Sequence, residues 1–223
     1  MTDTRTATPL PSQQRGDSRV GTGIDTSNYR KHTSGNPIQR RLIERFHGTL
    51  ADRIADLRPD TFLDAGCGEG FVTELLGARL PGTKLSGFDF NPAAVRLAAV
   101  KNPDVGFVTA SIYDLPYPDG SFDAVGCFEV LEHQADPTPA LRELARVSSR
   151  AVVLSVPHEP FFSLANAARG KNFQVRPRGS DPDHRQFWSR AAFGAFVDQI
   201  LDVEWIGGSF PWTICVARKR SSS

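Results

Sequence analysis

The sequence lacks any long apolar run and any pairing of cysteines. No stretch approaches the roughly 18 consecutive apolar residues of a membrane-spanning helix, and the N-terminal region has no apolar signal core. The three cysteines, Cys67, Cys127 and Cys215, stand singly without C-x-x-C spacing, which argues against a disulfide framework or a cysteine-ligated zinc site. We therefore expect a cytoplasmic protein without a transmembrane segment.

An excess of either charge is also missing. The 26 Lys and Arg residues nearly match the 25 Asp and Glu residues, and the net charge is +1. This balance carries no sign of the basic surface that binds nucleic acid, so we expect no nucleic-acid partner. A length of 223 residues with 39% hydrophobic residues predicts one globular domain with a real core.

Residues 1–36 have few aliphatic side chains and are rich in Ser, Thr and Gly. Such a segment buries too little apolar surface to offset its ordering entropy, so we expect a largely disordered tail. The folded domain is then predicted to span residues 37–220.

One glycine-rich turn organises the rest of the chain. Apolar residues from Thr61 to Ala65 predict a short buried strand, and the helical spacing of apolar residues begins at Phe71. The turn between them has glycine at positions 66, 68 and 70, where the absence of Cβ lets a ligand lie against the backbone. Phe71 departs from the dinucleotide pattern G-x-G-x-x-G, and no Gly-Lys-Ser/Thr follows, so pyrophosphate and P-loop sites are disfavoured. The remaining expectation is a nucleoside cofactor, with Asp64 accepting hydrogen bonds from a cationic amine.

Helical and extended segments alternate along the chain. An amphipathic helix begins at Pro37 and is stopped by Pro59. The alternation predicts right-handed crossovers and a doubly wound α/β fold, with a mostly parallel seven-stranded sheet and an antiparallel last strand. The predicted strands are 61–65, 84–89, 105–109, 122–127, 151–156, 203–208 and 212–218, and the later helices are 70–79, 92–101, 136–148, 160–169 and 189–201.

The stretch L-D-A-G-C-G-E-G, residues 63–70, resembles the first motif of class I S-adenosylmethionine-dependent methyltransferases, in their small-molecule (type 11) branch. The resemblance covers roughly residues 37–218 and also implies the antiparallel last strand. In similar enzymes a stretch like the end of the tail folds over the cofactor, which makes Tyr29 a candidate lid residue.

Further cofactor contacts are expected where later strands end, because ligands of open parallel sheets lie beyond the carboxyl ends of the strands. Asp89 comes 19 residues after Gly70, close to the offset at which an acidic residue accepts the ribose hydroxyls. Residues 109–123 resemble the methyltransferase stretch G-D-A-x-x-L-P-F-P-D-x-S-F-D, with Ser111 in place of the aspartate that meets the adenine amino group. The predicted cofactor-binding residues are Asp64, Gly66, Gly68, Asp89, Phe90, Ser111, Ile112 and Phe128.

The segment after the fourth strand, F-E-V-L-E-H, predicts the chemistry. On a helical turn Glu129, Glu132 and His133 share one face, as a base with its orienting carboxylate or as part of a metal site. The stretch resembles the E-V-L-E-H motif of ubiquinone-pathway O-methyltransferases. The stretch around His184 is similar to one in small-RNA 2′-O-methyltransferases, where a histidine completes a divalent-metal site. We predict His133, then His184 and then His158, as the base, and we hold a metal on Glu129, Glu132, His133 and His184 possible but not favoured.

The expected function is methyl transfer from S-adenosylmethionine to a small-molecule acceptor, at a hydroxyl. An insertion near 158–188 is predicted to form the substrate wall. Its cations Arg169, Lys171, Arg176 and Arg178 form a solvated loop, hold an anionic acceptor, or join Phe161, Phe162 and Leu164 in peripheral contact with an anionic membrane surface. A lipid-linked acceptor stays open beside an anionic one. The alternatives are a catalytically silent cofactor-binding partner subunit and a metal-assisted O-methyltransferase; an oxidoreductase is disfavoured by Phe71.

Overall fold

A computed structural model describes residues 35–168, 170, 174 and 182–220. Within them seven strands form one sheet: β1 Thr61–Ala65, β2 Lys84–Asp89, β3 Gly106–Thr109, β4 Phe122–Phe128, β5 Ser148–Pro157, β6 Asp202–Ser209 and β7 Trp212–Arg218. The described helices are α1 Pro37–Leu57, α2 Phe71–Arg79, α3 Pro92–Lys101, α4 Pro137–Val147, α5 Phe161–Ala168 and α6 Arg190–Val197, with a single 3₁₀ turn at Leu131–His133.

The strand order is β3-β2-β1-β4-β5-β7-β6. β1 to β5 pair in parallel with their neighbours, and β7 runs antiparallel to both β5 and β6. The prediction of a doubly wound, mostly parallel sheet with an antiparallel last strand is therefore confirmed. The order reverses between β1 and β4, so the glycine turn after β1 lies at the switch point where such sheets bind ligands.

Two apolar layers cover the sheet, and alternating side chains along each strand feed them. On β1, Phe62 packs into the layer under α1 and α2, while Leu63 packs into the layer under α4 and α6. Helix α1 begins where the Asn36 side chain accepts a hydrogen bond from the Ile38 amide, with Pro37 in its first turn. A short polar side chain followed by proline is what a helix start requires, so the sequence signal and the structure agree.

Most boundaries lie within one residue of the predictions, and two differ by three residues or more. β5 begins at Ser148, directly after α4, because Ser148 pairs with Phe122 before an irregularity in the β4–β5 register. Helix α6 ends at Val197, and residues 198–201 form turns rather than a last helical turn.

Several expectations fall outside the described residues. The tail, its candidate lid residue Tyr29, and the cations Arg169, Lys171, Arg176 and Arg178 cannot be placed from the described ranges. None of the described helices has the length and apolar character needed to cross a bilayer.

Candidate active site

The glycine turn has a backbone that only glycine suits. Gly66, Gly68 and Gly70 have φ angles of 79°, 53° and 77°. A Cβ on Gly66 would lie 2.6 Å from Cγ2 of Val130, and one on Gly70 would lie 2.6 Å from Nδ2 of Asn102. The turn is thus packed against the segment after β4 on one side and against the end of α3 on the other.

Asp89 fixes this turn from the end of β2. Its Oδ2 accepts a hydrogen bond from the Gly68 amide at 2.9 Å, and its Oδ1 accepts one from the Asn91 amide at 2.8 Å. Burial raises the pKa of this carboxyl, and the bonds from Asn91 and Gly68 oppose the rise. Each carboxylate oxygen has a second lone pair, so the same group can also accept from ribose hydroxyls. Asn91, in turn, caps α3 by accepting from the Ala93 amide.

Asp64 lies deeper than its predicted role suggests. Its carboxylate is 2% exposed and accepts the hydroxyl of Thr73, in the first turn of α2, at 2.5 Å. Burial raises the pKa of Asp64 to about 6, the Thr73 hydrogen bond lowers it and the charge of Asp89 raises it. Direct contact with an amine stays a prediction, and in this structure the Asp64 carboxylate holds the first turn of α2 through Thr73.

The remaining predicted cofactor residues differ in exposure. Phe90 is 75% exposed, whereas Ile112 is buried in the layer under α4. Ser111 forms an isolated bridge with Asp114 at the end of β3. The ring of Phe128 packs against Gly126 in the layer under α1, so a cofactor contact from Phe128 would come from its main chain.

Glu129 is turned away from the other two members of its motif. It has a left-handed φ of 57°, and its carboxylate accepts the indole N–H of Trp212 at 2.8 Å and the hydroxyl of Ser155 at 3.3 Å. Helical geometry begins only at Leu131, in a 3₁₀ turn. The prediction that Glu129, Glu132 and His133 share one face is therefore wrong, because the left-handed residue breaks the helical path.

His184, and not Glu129, lies beside Glu132 and His133. Potential ligand atoms of Glu132, His133 and His184 all lie within 4.8 Å of one another, and the two imidazole centroids are 4.9 Å apart. Glu132 is 1% exposed. Nδ1 of His133 lies 3.2 Å from the carbonyl oxygen of Asp183. A carbonyl oxygen only accepts, so in the neutral His133 ring Nδ1 carries the proton and Nε2 carries the lone pair.

The cluster can work in two ways. A neutral imidazole with its lone pair on Nε2 is a general base near neutral pH. Two imidazoles and one carboxylate also suit a borderline divalent ion. Val130 connects the cluster to the glycine turn, because its carbonyl oxygen accepts from the His133 amide and its side chain lies against Gly66.

The family comparison agrees with this geometry. A family model described as "Methyltransferase domain" matches residues 63–155, from β1 through most of β5. A ubiquinone biosynthesis O-methyltransferase of Xanthomonas oryzae is 32% identical over 169 residues, covering 70% of each chain. The chain belongs to the S-adenosylmethionine-dependent methyltransferases.

Other comparisons cover a shorter part of the chain or have a lower sequence identity. A demethylmenaquinone methyltransferase of Thermus thermophilus is 36% identical over 123 residues, which cover 52% of this chain and 56% of that protein. The chain thus spans less than two thirds of the length of some curated relatives. The solved magnesium protoporphyrin IX methyltransferase of Synechocystis, with bound SAH, has a TM-score of 0.66 and 20% identity, and the match covers 86% of this chain and 92% of that one. At 20% identity, the similarity to this solved structure shows the methyltransferase fold alone.

The predictions of the family, its fold and its cofactor are confirmed at the level of the methyltransferase family. The sequence did not indicate Tyr113, Gln134 and Gln186, whose side chains join the loop after β3 to the segment around His184. These residues are up to 73 positions apart in the chain. Spacing alone carries no signal for such a contact.

The third base candidate lies in a different part of the chain. His158, just after β5, packs edge-on against Phe161 with centroids 5.3 Å apart, and Phe161 meets Phe210 at 6.3 Å. Burial lowers the pKa of His158, and the positive charge of Arg190 lowers it further. Phe161 and Phe210 are 50% and 53% exposed, so they form an aromatic wall beside the carboxyl end of β5.

Proposed function

We propose that this chain transfers the methyl group of S-adenosylmethionine to a hydroxyl of a small molecule. The observation that carries the proposal is the convergence of His133, His184 and Glu132 beside the glycine turn. A proton acceptor next to the cofactor loop is what methylation of a hydroxyl needs and what simple cofactor binding does not.

The residues around the turn suit this cofactor. We propose that Asp89 accepts from the ribose hydroxyls and that Ser111 and the main chain near Ile112 contact the adenine. The buried acidic side chains of Asp64, Glu69 and Asp89 surround the turn with negative charge, which favours a sulfonium cation over a phosphate. When bound, the cofactor supplies an electrophilic methyl group whose carbon–sulfur bond electrons leave with sulfur as a thioether.

The protein's own contribution is alignment and proton removal. Holding the acceptor oxygen in line with the methyl group is worth about 7 to 11 kcal/mol, and a positioned base adds about 10²- to 10⁴-fold. We assign the base to His133, because the hydrogen bond from its Nδ1 to the carbonyl oxygen of Asp183 leaves the lone pair on Nε2. The acceptor proton passes to Nε2 as the new carbon–oxygen bond forms, and His184 borders the same site.

The acceptor class that we propose to screen first is hydroxylated aromatic rings. Two curated relatives carry names from ubiquinone and demethylmenaquinone chemistry. The aromatic wall of Phe161 and Phe210, with the His158 ring packed edge-on against Phe161, offers ring faces for an aromatic acceptor. Anionic and lipid-linked acceptors, and methylation at carbon or nitrogen, are further arms of the same screen.

The decisive experiment is the formation of S-adenosylhomocysteine from S-adenosylmethionine across a panel of hydroxylated aromatics, sugars, amines and lipid-linked phenols. We expect turnover that depends on an aromatic hydroxyl. A catalytically silent partner subunit would bind the cofactor but form no S-adenosylhomocysteine with any acceptor. That result would overturn the proposed function.

A metal-assisted reaction is the second candidate, and the closeness of Glu132, His133 and His184 favours it. These residues would hold a divalent ion that lowers the pKa of the acceptor hydroxyl. Activity that survives excess chelator and is lost in His133→Ala supports the base. Activity that is lost with chelator and restored by a divalent ion supports the metal. The Glu129→Gln variant should then also regain activity with the divalent ion, because Glu129 lies outside the cluster.

A further inference from the structure

A chain of hydrogen bonds starts in the loop predicted to meet the adenine. The hydroxyl of Tyr113 donates to Oε1 of Gln134 at 2.9 Å and lies 3.3 Å from the carbonyl oxygen of Asp136. Nε2 of Gln134 donates to the carbonyl oxygen of Val130 at 3.2 Å. The side chain of Gln134 therefore ties the loop after β3 to the segment after β4.

Gln186 continues the connection toward His184. Its Nε2 donates to the carbonyl oxygens of Gln134 and Ala135 at 3.0 and 3.1 Å. The main-chain amides of Arg185 and Gln186 both donate to the carbonyl oxygen of Glu132, at 2.7 and 3.0 Å. His184 thus lies between two segments fixed by hydrogen bonds. The amides of Arg185 and Gln186 bond to Glu132 after it, and the carbonyl oxygen of Asp183 bonds to His133 before it.

The cofactor end of the connection is equally close. Oγ of Ser111, the residue expected to meet the adenine amino group, accepts from the Tyr113 amide at 3.3 Å. A ligand that fixes Ser111 therefore also fixes the backbone of Tyr113. Tyr113 is 42% exposed, so few packing contacts compete with the hydrogen bonds in setting its position.

We propose that Tyr113, Gln134 and Gln186 form a latch that couples cofactor binding to the placement of His184, with Gln134 and Gln186 as positioning residues. The inference rests on the proposed function. Its consequence is an ordered reaction in which the acceptor site is completed only after the cofactor has bound. Both events bias the same hydrogen-bonded segment, which is what a coupling between two sites requires.

The test is amide hydrogen exchange at Arg185 and Gln186 with and without S-adenosylhomocysteine. In the unmodified protein we expect the ligand to slow exchange at these amides by about 5- to 150-fold, the usual range of such couplings. In Tyr113→Phe, which removes only the hydroxyl, and in Gln186→Glu, which replaces two donors by acceptors, that slowing should disappear. Slowing at Gly68 and Gly70 should persist in both variants.

Tyr117→Phe is the matched control, because Tyr117 lies in the same loop but its ring packs edge-on against Phe122. It should behave as the unmodified protein. Equal slowing at Arg185 in Tyr113→Phe and in the unmodified protein would overturn the latch and leave the proposed function intact. Absence of slowing at Gly68 in the unmodified protein would overturn the proposed function, and the latch with it.

A second readout separates positioning from a purely structural role. In the unmodified protein, binding of S-adenosylhomocysteine at a fixed pH should move the NMR signals of the His184 ring, which lies edge-on to the His133 ring and is assigned with His184→Gln. Tyr113→Phe should lose that movement while keeping the same ring signals without ligand. A movement of equal size in both proteins contradicts the latch.

Discussion

At the scale of single residues, Asp64 sets stability against cofactor binding. Its pKa is about 6 in the fold and 3.8 in the reference state, so the buried charge costs stability above pH 6 and that cost vanishes as pH falls toward 4. Asn in this position keeps an acceptor for the Thr73 hydroxyl without the charge. We therefore expect Asp64→Asn to raise the free energy of unfolding at pH 8 by up to about 3 kcal/mol.

Urea unfolding at pH 8 and at pH 5 measures this effect as the difference between the two proteins. The difference should shrink as pH falls, since the wild-type carboxyl becomes protonated. The same variant should bind S-adenosylmethionine more weakly, because the negative charge near the sulfonium is gone. A variant less stable than the wild type at pH 8 contradicts this account.

Asp89 carries the second prediction at this scale. Asp89→Ala removes the acceptor of the Gly68 amide as well as the predicted ribose contacts, each worth roughly 1.5 to 3 kcal/mol. Calorimetric titration with S-adenosylhomocysteine should show an affinity loss of at least about tenfold. Asp104→Ala, an exposed acid before β3, is the control. Unchanged affinity in a folded Asp89→Ala protein would leave Asp89 a structural residue.

At the scale of elements, Arg146 joins α4 to the loop that ends in β4. Its guanidinium donates to the carbonyl oxygens of Leu115 and Tyr117 and to the carboxylates of Asp119 and Glu143. The hydrogen bond from Arg146 holds the pKa of Glu143 below its usual value. These bonds fix the loop whose start carries Ser111 and Tyr113.

Arg146→Ala should therefore lower the free energy of unfolding by about 1 to 3 kcal/mol and weaken cofactor binding in the same protein. Thermal and urea unfolding with and without S-adenosylhomocysteine measure both effects. Arg142→Ala, one turn earlier on the exposed face of α4, should change neither. Equal effects of the two substitutions would contradict the role of Arg146.

Local sequence patterns predicted the elements well because their causes are local. The G-x-G-x-G turn, the Asn-Pro starts of α1 and α3, and the alternation of strands and helices each act within a few residues. The direction of Glu129 was not predictable in this way. Its left-handed backbone is stabilised by Trp212 and Ser155, which are distant in sequence and become its neighbours only through the pairing of β5 with β4 and β7. The approach of His184 to His133 depends on the same long-range folding.

At the scale of the whole molecule, the fold and the glycine turn predict ligand selectivity. S-adenosylhomocysteine at 100 times its dissociation constant should stabilise the protein by about 2.7 kcal/mol, seen as a rise in melting temperature. NAD should give no rise, because Phe71 occupies the position of the last glycine in the dinucleotide pattern G-x-G-x-x-G. Gly70 also packs against Asn102 and Ala98, which fill the space where a Cβ would lie. A rise with NAD and none with S-adenosylhomocysteine contradicts this selectivity.

The position of β7 has a consequence for synthesis on the ribosome. β7 lies between β5 and β6, yet it is translated after both. Until β7 emerges, β5 has an unpaired edge and β6 has no described strand beside it. The nascent chain therefore exposes unpaired backbone N–H and C=O groups on two strands, which can pair with other chains. Messages truncated within β7 should therefore yield aggregated product rather than a smaller folded protein. A stop codon placed just after Arg218 should leave β7 paired with both β5 and β6.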